Sequence, residues 1–335
     1  MGQIENAIIV RNKTRLEQLT ERFNTQDQAK FYIGQAKQAF NFQMATKSPS
    51  KAAKIQKQKP DEDFKMYDDE HRLFNTAIES LQKSISGLIK YKIIYQDFLP
   101  SYIFTEKDMV IVIGQDGLVA NTAKYVHDIP IIAVNPDPER YDGILLPFNQ
   151  YTAIKEIENV LSGVYNFESV TMAMAELNDG QKLLAFNDLF IGPTSHISAR
   201  YKISFGDLSE NQSSSGIIVS TGAGSTGWLS SLFNMANSIH NTFANIQPVP
   251  YAPISRTENK LVFVVREPFL SRTSQINITS GMLGQGDELI LESHMPQNGI
   301  IFSDGIQSDF LNFNSGTIAT IRIAETKAKL VLPKT

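Results

Sequence analysis

The run Val110-Ile111-Val112-Ile113-Gly114-Gln115-Asp116-Gly117 closes an apolar stretch of strand length with an aspartate set among glycines. A strand, a sharp turn and a lone carboxylate is how an open α/β sheet presents an acid at the carboxyl edge of its strands, where ligands bind. Phosphoryl transfer to a hydroxyl needs a proton acceptor and a backbone that can come close to phosphate, and an acid beside Gly114 and Gly117 offers both. The same aspartate could instead cap the following helix, which the pattern predicts over Leu118 to Val126. A second group, Asn187-Asp188, follows a strand and sets an amide beside a carboxylate. That pair suits nucleoside edges or ribose hydroxyls, or is an ordinary turn before strand Leu189 to Ile191. The third group, Ser220-Thr221-Gly222-Ala223-Gly224-Ser225-Thr226-Gly227, lies between strand Ile217-Ile218-Val219 and a helix and contains Gly-x-Gly-x-x-Gly. A dinucleotide fingerprint wants an acidic residue about 20 positions on. From Asn211 to Thr257 there is no aspartate or glutamate, which excludes a hydride-transfer site of that kind. What remains is a loop of glycines and hydroxyls at a helix start, suited to an anion.

Arg11, Lys13 and Arg15 follow the first strand and either meet nucleotide phosphates at the same sheet edge or are solvated. Asn135-Pro136-Asp137-Pro138-Glu139 breaks the strand Pro130 to Val134. Prolines at alternate positions cannot continue a strand or helix, so the segment is a loop at that edge, and Asn135 joins the candidate site. The five histidines show no metal-ligand spacing, and there is neither a P-loop nor a Gly-x-Ser-x-Gly elbow. No metal-ligating residue is assigned. Asp304-Gly305 reads as a hairpin turn. A chain without cysteine excludes disulfides, thiolate nucleophiles and iron–sulfur clusters. A net charge of -4 and a pI near 5.8 argue against nucleic acid as a partner. No apolar run approaches the ~18 residues of a membrane span, and Ala7-Ile8-Ile9-Val10 is too short for a signal-peptide core, so the expectation is a cytoplasmic protein without a membrane partner.

The elements that must position these residues divide the 335 residues into two kinds of sequence. Residues 1–150 alternate β and α: strand Ala7 to Val10, a helix with Leu16, Leu19 and Phe23 on one face, helical sequence from Gln26 towards Met44, and a helix near His71 to Ile89. Strands Lys92 to Tyr95, Met109 to Ile113 and Pro130 to Val134 follow. The strand Met109 to Ile113 is apolar throughout, as a parallel strand buried on both faces would be. A Lys-rich segment of about 45–63 interrupts the pattern and reads as a mobile arm. Residues 151–335 read as short strands with turns every ~8–12 residues, which predicts an antiparallel sandwich-like half. These include Val170 to Leu177 and Lys182 to Phe186, joined by the hairpin signal Asn178-Asp179-Gly180, then Ile197 to Phe205, Gly216 to Ser220, Lys260 to Val265, Ser274 to Thr279, Glu288 to Glu292, Gly299 to Ser303 and Thr317 to Ile323. One helix, Thr226 to Asn245, intervenes.

Gly114-Gln115-Asp116-Gly117, Asn187-Asp188 and Gly224-Ser225-Thr226-Gly227-Trp228 occur in the order of the Gly-Gly-Asp-Gly, Asn-Glu and Thr-Pro-Thr-Gly-Ser-Thr-Ala-Tyr segments of the NAD kinases and their relatives, the ATP-dependent lipid kinases. Over roughly Met109 to Ile323 the chain resembles that family, with Gln115 where the family has glycine, Asp188 for glutamate, Trp228 for tyrosine and Ser215 where NAD kinases carry an aspartate. The resemblance implies an α/β nucleotide-binding domain with an open, mostly parallel sheet over 1–150. It implies a β-sandwich-like substrate domain over 151–335, its last segment returning to the first domain. It further implies phosphoryl transfer from ATP with magnesium, Asp116 as general base, and Gly114, Gln115, Gly117, Asn187, Asp188, Ser215, Gly224, Ser225, Thr226, Gly227 and Trp228 as nucleotide-binding positions. The leading acceptor is the 2′-hydroxyl of NAD, giving NADP; a sugar or other small alcohol is second, and a lipid alcohol third. A catalytically silent nucleotide-binding regulator is the alternative from another class. A homo-oligomer, dimer or tetramer, belongs to the same expectation. The missing carboxylate at Ser215 predicts weak NAD binding that Ser215→Asp would tighten.

Overall fold

The computed structural model describes residues 4–35, 60–244 and 247–334. Four parallel strands, β1 (Asn6–Arg11), β2 (Lys90–Tyr95), β3 (Asp108–Ile113) and β4 (Pro130–Val134), lie in the order β2-β1-β3-β4. All six residues of β3 are buried, because helices cover both faces of this part of the sheet. Helices α1 (Arg15–Phe23), α2 (Pro60–Ile85), α3 (Asp116–Ala123) and α4 (Thr152–Leu161) supply that cover. One apolar cluster joins Val110, Val112, Leu118 and Ile131; a second joins Ile9, Ile111, Leu81 and Ile157. Helix α1 starts on a capping box in which Thr14 accepts from the Glu17 amide while the Glu17 carboxylate takes the Thr14 amide.

The later half adds β5 (Asn166–Leu177), β6 (Lys182–Ala185), β7 (Asp188–Pro193), β8 (Ala199–Phe205), β9 (Leu208–Ser214) and β10 (Ile217–Ser220). After helix α5 (Trp228–Ala244) come β11 (Leu261–Val265), β12 (Ser280–Leu283), β13 (Leu289–Ser293), β14 (Gly299–Ser303), β15 (Ile306–Asn312) and β16 (Ile318–Leu332). The antiparallel sheet β12-β11-β10-β7-β14-β15 packs over an apolar core that includes Phe263, Ile191, Tyr201 and Ile321. Its facing layer is continuous with the parallel strands, because β16 links them: Lys329 and Leu330 pair in parallel with Pro130 and Ile131, while residues 318–323 pair with β5 and β13. Ile321 of β16 therefore sits in the sandwich core and Leu330 among the parallel strands, with a register shift between Ile323 and Lys327.

Several boundaries differ from the sequence expectation. The stretch Ser274 to Thr279 is not a strand: the Ser271 hydroxyl accepts from the Ser274 amide, and the Glu210 carboxylate takes the Asn277 and Ile278 amides, so β12 begins only at Ser280. Helix α2 begins at Pro60, where the missing proline N–H costs nothing, so the end of the Lys-rich segment is helical; residues 45–59 lie outside the described residues. Helix α5 begins at Trp228 rather than Thr226, because the 3₁₀ turn Ala223–Thr226 and a non-helical Gly227 precede it. The Asn178-Asp179-Gly180 hairpin between β5 and β6 is present, with Gly180 at φ 89°.

Candidate active site

Asp116 is the first residue of α3, and Gln115 stands at its N-cap without any side-chain cap bond. The Asp116 carboxylate does not cap its own helix. Its oxygens accept instead from the amides of Leu145 at 2.8 Å and Ile144 at 3.2 Å, which fixes the acid's orientation from across the sheet edge. The loop that carries those amides is shaped by Asn135, whose buried side chain accepts from the Asp137 amide and donates to the Tyr141 carbonyl. Gly143, at φ 62°, closes on it so tightly that a Cβ would lie 2.6 Å from the Asn135 Nδ2. Asn135 is thus a positioning residue whose polar atoms are already used. Gln115 has φ -111° and ψ 165°, an extended conformation open to any residue, so the family's glycine is not required there by backbone geometry.

A cleft of 390 Å³ brings Asp116, Gly117, Ile144 and Leu145 together with Asn187, Asp188, the loop from Gly222 to Gly227, Ile254 and Arg256. Three segments about a hundred residues apart or less in sequence are stitched by specific bonds. The Thr221 amide and hydroxyl donate to the carbonyls of Asn187 and Phe186. A Cβ at Gly224 would stand 2.4 Å from the Asn187 carbonyl oxygen and 2.7 Å from Asp188 Oδ1, and one at Gly222 would be 2.1 Å from the Ser255 carbonyl. The glycines are needed for close approach between loops rather than for unusual dihedrals. Ser225 is buried, its hydroxyl donating to the Gly222 carbonyl and accepting from the Ile254 amide, so it builds the loop while Thr226 and Gly227 are exposed along the cleft.

Asp188 Oδ1 is sealed from solvent and has no hydrogen-bond partner. Burial pushes this carboxyl up from its ordinary 3.8 to about 7; the Ser220 hydroxyl works against the rise and the negative charge of Asp304 adds to it. Oδ1 lies behind Gly224, where a Cβ would come within 2.7 Å of it, while the residue as a whole is half-buried and lines the cleft.

Asp304, expected only as part of a hairpin turn, also helps build the site. With Gly305 it does form the expected turn, at φ 53° and 74°, between β14 and β15. Its carboxylate also accepts from the amides of Phe186 at 3.0 Å, Asn187 at 2.6 Å and Asp188 at 3.2 Å, gripping the backbone of the Asn187-Asp188 pair. Burial raises its pKa, while Lys124 and the three amides oppose that rise. Lys124, buried at the end of α3, donates to the Ser303 hydroxyl at 2.8 Å and lies 3.8 Å from Asp309, which also takes the Tyr125 hydroxyl. Burial lowers the Lys124 pKa, against Asp304 and Asp309. The helix that starts at Asp116 is therefore tied at its far end to the turn that holds Asn187-Asp188.

Four expected site residues lie elsewhere. Ser215 sits at the opposite end of β10 from the glycine loop, and its hydroxyl is bonded to the Glu267 carboxylate. A carboxylate is already present beside it, which removes the basis for expecting Ser215→Asp to tighten binding. Trp228 stacks on Phe190 with ring centroids 5.9 Å apart under the Arg266 guanidinium, lining a separate 300 Å³ groove. Arg11 is buried: it bonds Glu17 at 2.6 Å and lies over the rings of Phe74 and Tyr95, so it supports the fold. Lys13 pairs with Glu21 at 2.8 Å, and that bond raises its pKa. Lys13 does line a second cavity of 240 Å³ with Asn12, Arg15, Glu70, Gly114, Gln115 and Asp137, so this cavity shares the turn that precedes Asp116. Asn12 Oδ1 and Glu70 Oε2 are buried there without a hydrogen-bond donor, although Arg15 and Arg140 lie 3.8 and 3.6 Å from Glu70. Among the described residues no group of three or more acidic or histidine side chains could hold a metal ion, and no helix is long and apolar enough to cross a membrane.

No protein-family model matches the chain. It is 30% identical over 199 residues to an NAD kinase of Aromatoleum aromaticum, a match that covers 56% of this chain and 61% of that protein. It is 29% identical, also over 199 residues, to a bifunctional NADP phosphatase/NAD kinase of Methanococcus maripaludis, covering 54% of this chain and 34% of the relative. The chain thus spans less than two thirds of the length of these curated relatives. In three dimensions it is similar to yeast NADH kinase complexed with NADH, with a TM-score of 0.59, 12% identity, and coverage of 100% of this chain and 85% of the other. An NAD kinase from Archaeoglobus fulgidus in complex with ATP gives a TM-score of 0.50 at 14% identity, covering 76% and 89%. At such identities the structural likeness speaks for the fold, a parallel α/β layer joined to an antiparallel second sheet.

Proposed function

We propose that this chain, a distant member of the NAD kinase family by sequence and by fold, transfers a phosphoryl group from ATP to a hydroxyl, with Asp116 as the proton acceptor and the 2′-hydroxyl of NAD as the leading acceptor. The observation that carries this reading is the single cleft that gathers Asp116, Asn187, Asp188 and the Gly222–Gly227 loop. Asp116, held by two amides, keeps unshared electron pairs for a proton from the attacking hydroxyl. Asp188 and Asn187, side by side on the cleft wall, suit the hydroxyls and amide edges of a nucleoside. The flanking 240 Å³ cavity, with Lys13 and Arg15 on its wall and the Asn12 amide oxygen unpartnered, suits the donor nucleotide, its terminal phosphate reaching past Gln115 to Asp116. Phosphoryl transfer asks the protein mainly for positioning and charge stabilisation, and Arg256 is the cation lining the cleft.

Magnesium fits this site only as an ion shared with phosphate, since one or two carboxylates are its usual protein ligands and no larger acidic group is present among the described residues. Asp116 and Asp188 are the carboxylates that would hold it, and it would supply neutralisation of phosphate charge.

Thermal shift separates the acceptors. Binding stabilises by RT ln(1 + [L]/Kd), so a ligand at 100 times its Kd adds about 2.7 kcal/mol. NAD and ATP should each raise the melting temperature and small sugars should not. A rise with ATP and a sugar but not with NAD would move the acceptor to a small alcohol, and no rise with any nucleotide would end the reading.

A further inference from the structure

The cavity beside the Gly114-Gln115 turn carries a carboxylate in its wall, Glu70 of α2. Its side chain is 12% exposed, and its Oε2 is sealed from solvent. Two guanidinium groups from other elements approach that one oxygen. Arg15, which opens α1, brings Nε to 3.8 Å, and Arg140, in the loop after β4, brings Nη1 to 3.6 Å. Both stand beyond the 2.7–3.2 Å of a hydrogen bond. Asp137 lies 3.4 Å from the Nε of Arg140, so the Nη end of that side chain is the one turned to Glu70.

The neighbouring cations are held differently. Arg11 and Lys13 meet Glu17 and Glu21 at 2.6 and 2.8 Å, within bonding distance. Arg15, 54% exposed, has no carboxylate but Glu70 among the described residues. One carboxylate oxygen cannot serve two guanidinium forks at bonding distance, whereas a terminal phosphate brings three oxygens and a larger charge. Among the described residues no hydrogen bond holds Glu70 in place. Helix α2 itself is fixed by Phe74, Ala77, Ile78 and Leu81 in the core, so the carboxylate can swing aside while the helix stays.

We propose that Arg15 and Arg140 are the polyphosphate-binding pair of this cavity and that Glu70 is a placeholder, neutralising both arginines until phosphate displaces it. The proposal rests on the reading of this cavity as the donor's and deepens it by naming the groups that meet phosphate. Arg140 lies on the loop whose Ile144 and Leu145 amides hold Asp116, so the phosphate it takes is tied to the loop that fixes the proton acceptor.

Calorimetry on the full chain at low salt, with ATP and with inorganic tripolyphosphate as probes, tests it. Arg15→Gln and Arg140→Gln should each weaken both probes by about tenfold or more, the effect of losing a charged hydrogen bond. Glu70→Gln keeps the shape of the side chain and removes the competing charge, so it should tighten both by about fivefold. A Glu70 that only props the arginines in place would give the reverse, weaker binding in Glu70→Gln. Tripolyphosphate held through both arginines without any binding of ATP would support the pair and end the donor reading. Arginine variants that bind tripolyphosphate as the wild type does, a Glu70→Gln protein that binds it no more tightly, or a wild type that does not bind it would overturn the proposal.

Discussion

The two carboxylates of the cleft differ in what they already have. Asp116 holds two amides, whereas Asp188 has an oxygen enclosed by protein and bonded to nothing. With its pKa raised to about 7, Asp188 is protonated in the empty protein at acid pH. A raised acid pKa means that the empty fold is favoured by protonation, so the Asp188 contribution to stability is complete below 3.8 and is lost as pH rises towards 7. A ligand hydroxyl that donates to the ionised form binds in the opposite sense. Calorimetry should find NAD affinity rising up to about tenfold between pH 6 and 8, as the ionised share of a group titrating near 7 grows from about a tenth to about nine tenths. In Asp188→Asn the rise should vanish, and a flat wild-type profile would exclude Asp188 as an acceptor for the ligand. Ser215→Asp would place a second carboxylate against Glu267, so it should leave NAD affinity unimproved and lower the melting temperature; tighter NAD binding in that variant would restore Ser215 to the site. At this scale the motif residues were legible because turn chemistry at a sheet edge is written locally. Asp304 was not, since its three amide partners lie more than a hundred positions away and a hairpin Asp-Gly looks the same with or without them.

Elements hold the cleft through a few buried bonds. Lys124 closes α3 and reaches Ser303 at the start of the turn whose Asp304 grips Asn187-Asp188. Removing the cation leaves the buried Asp304 without it and the half-buried Asp309 with only the Tyr125 hydroxyl, so Lys124→Met should cost roughly 3 kcal/mol in urea unfolding. Adding Asp304→Asn should recover part of that loss, since coupled partners are not additive. A cost near zero, or strict additivity, would show that helix and turn are independent. The strands with continuous apolar runs, such as β3 and β14, could be read from sequence because burial on both faces leaves an unbroken pattern. The segment Ser274 to Thr279 could not, because the side chains of Ser271 and Glu210 capture three of its amides and only single bonds, Gln275 to Asn211 and Val265 to Thr279, reach the neighbouring strands, too few for a ladder.

In the whole molecule, β16 joins the parallel and antiparallel layers, and its final turn of sequence buries Ala328, Leu330 and Val331 against the parallel strands. Deleting Thr326 to Thr335 removes about 4–8 kcal/mol of apolar burial together with a strand's pairing, comparable with the 5–15 kcal/mol that stabilises a whole domain. The shortened protein should lose its cooperative thermal transition, and wild-type melting would show that β16 does not unite the layers. The alternation of strand and helix followed by short strands announced two kinds of half in the sequence; the shared sheet did not, because parallel pairing of β4 with a strand two hundred residues later leaves no local signal. That shared sheet sets Asp116 from one half against Asp188 and the glycine loop from the other, which is the basis of the assigned chemistry. The direct measurement is NADP formation from NAD and ATP with magnesium, followed for the wild type and for Asp116→Asn. NADP should form with the wild type, and turnover should fall about 10²–10⁴-fold in the variant while calorimetric nucleotide affinity stays within a few-fold. No NADP from the wild type, or equal turnover by the two proteins, would contradict the account.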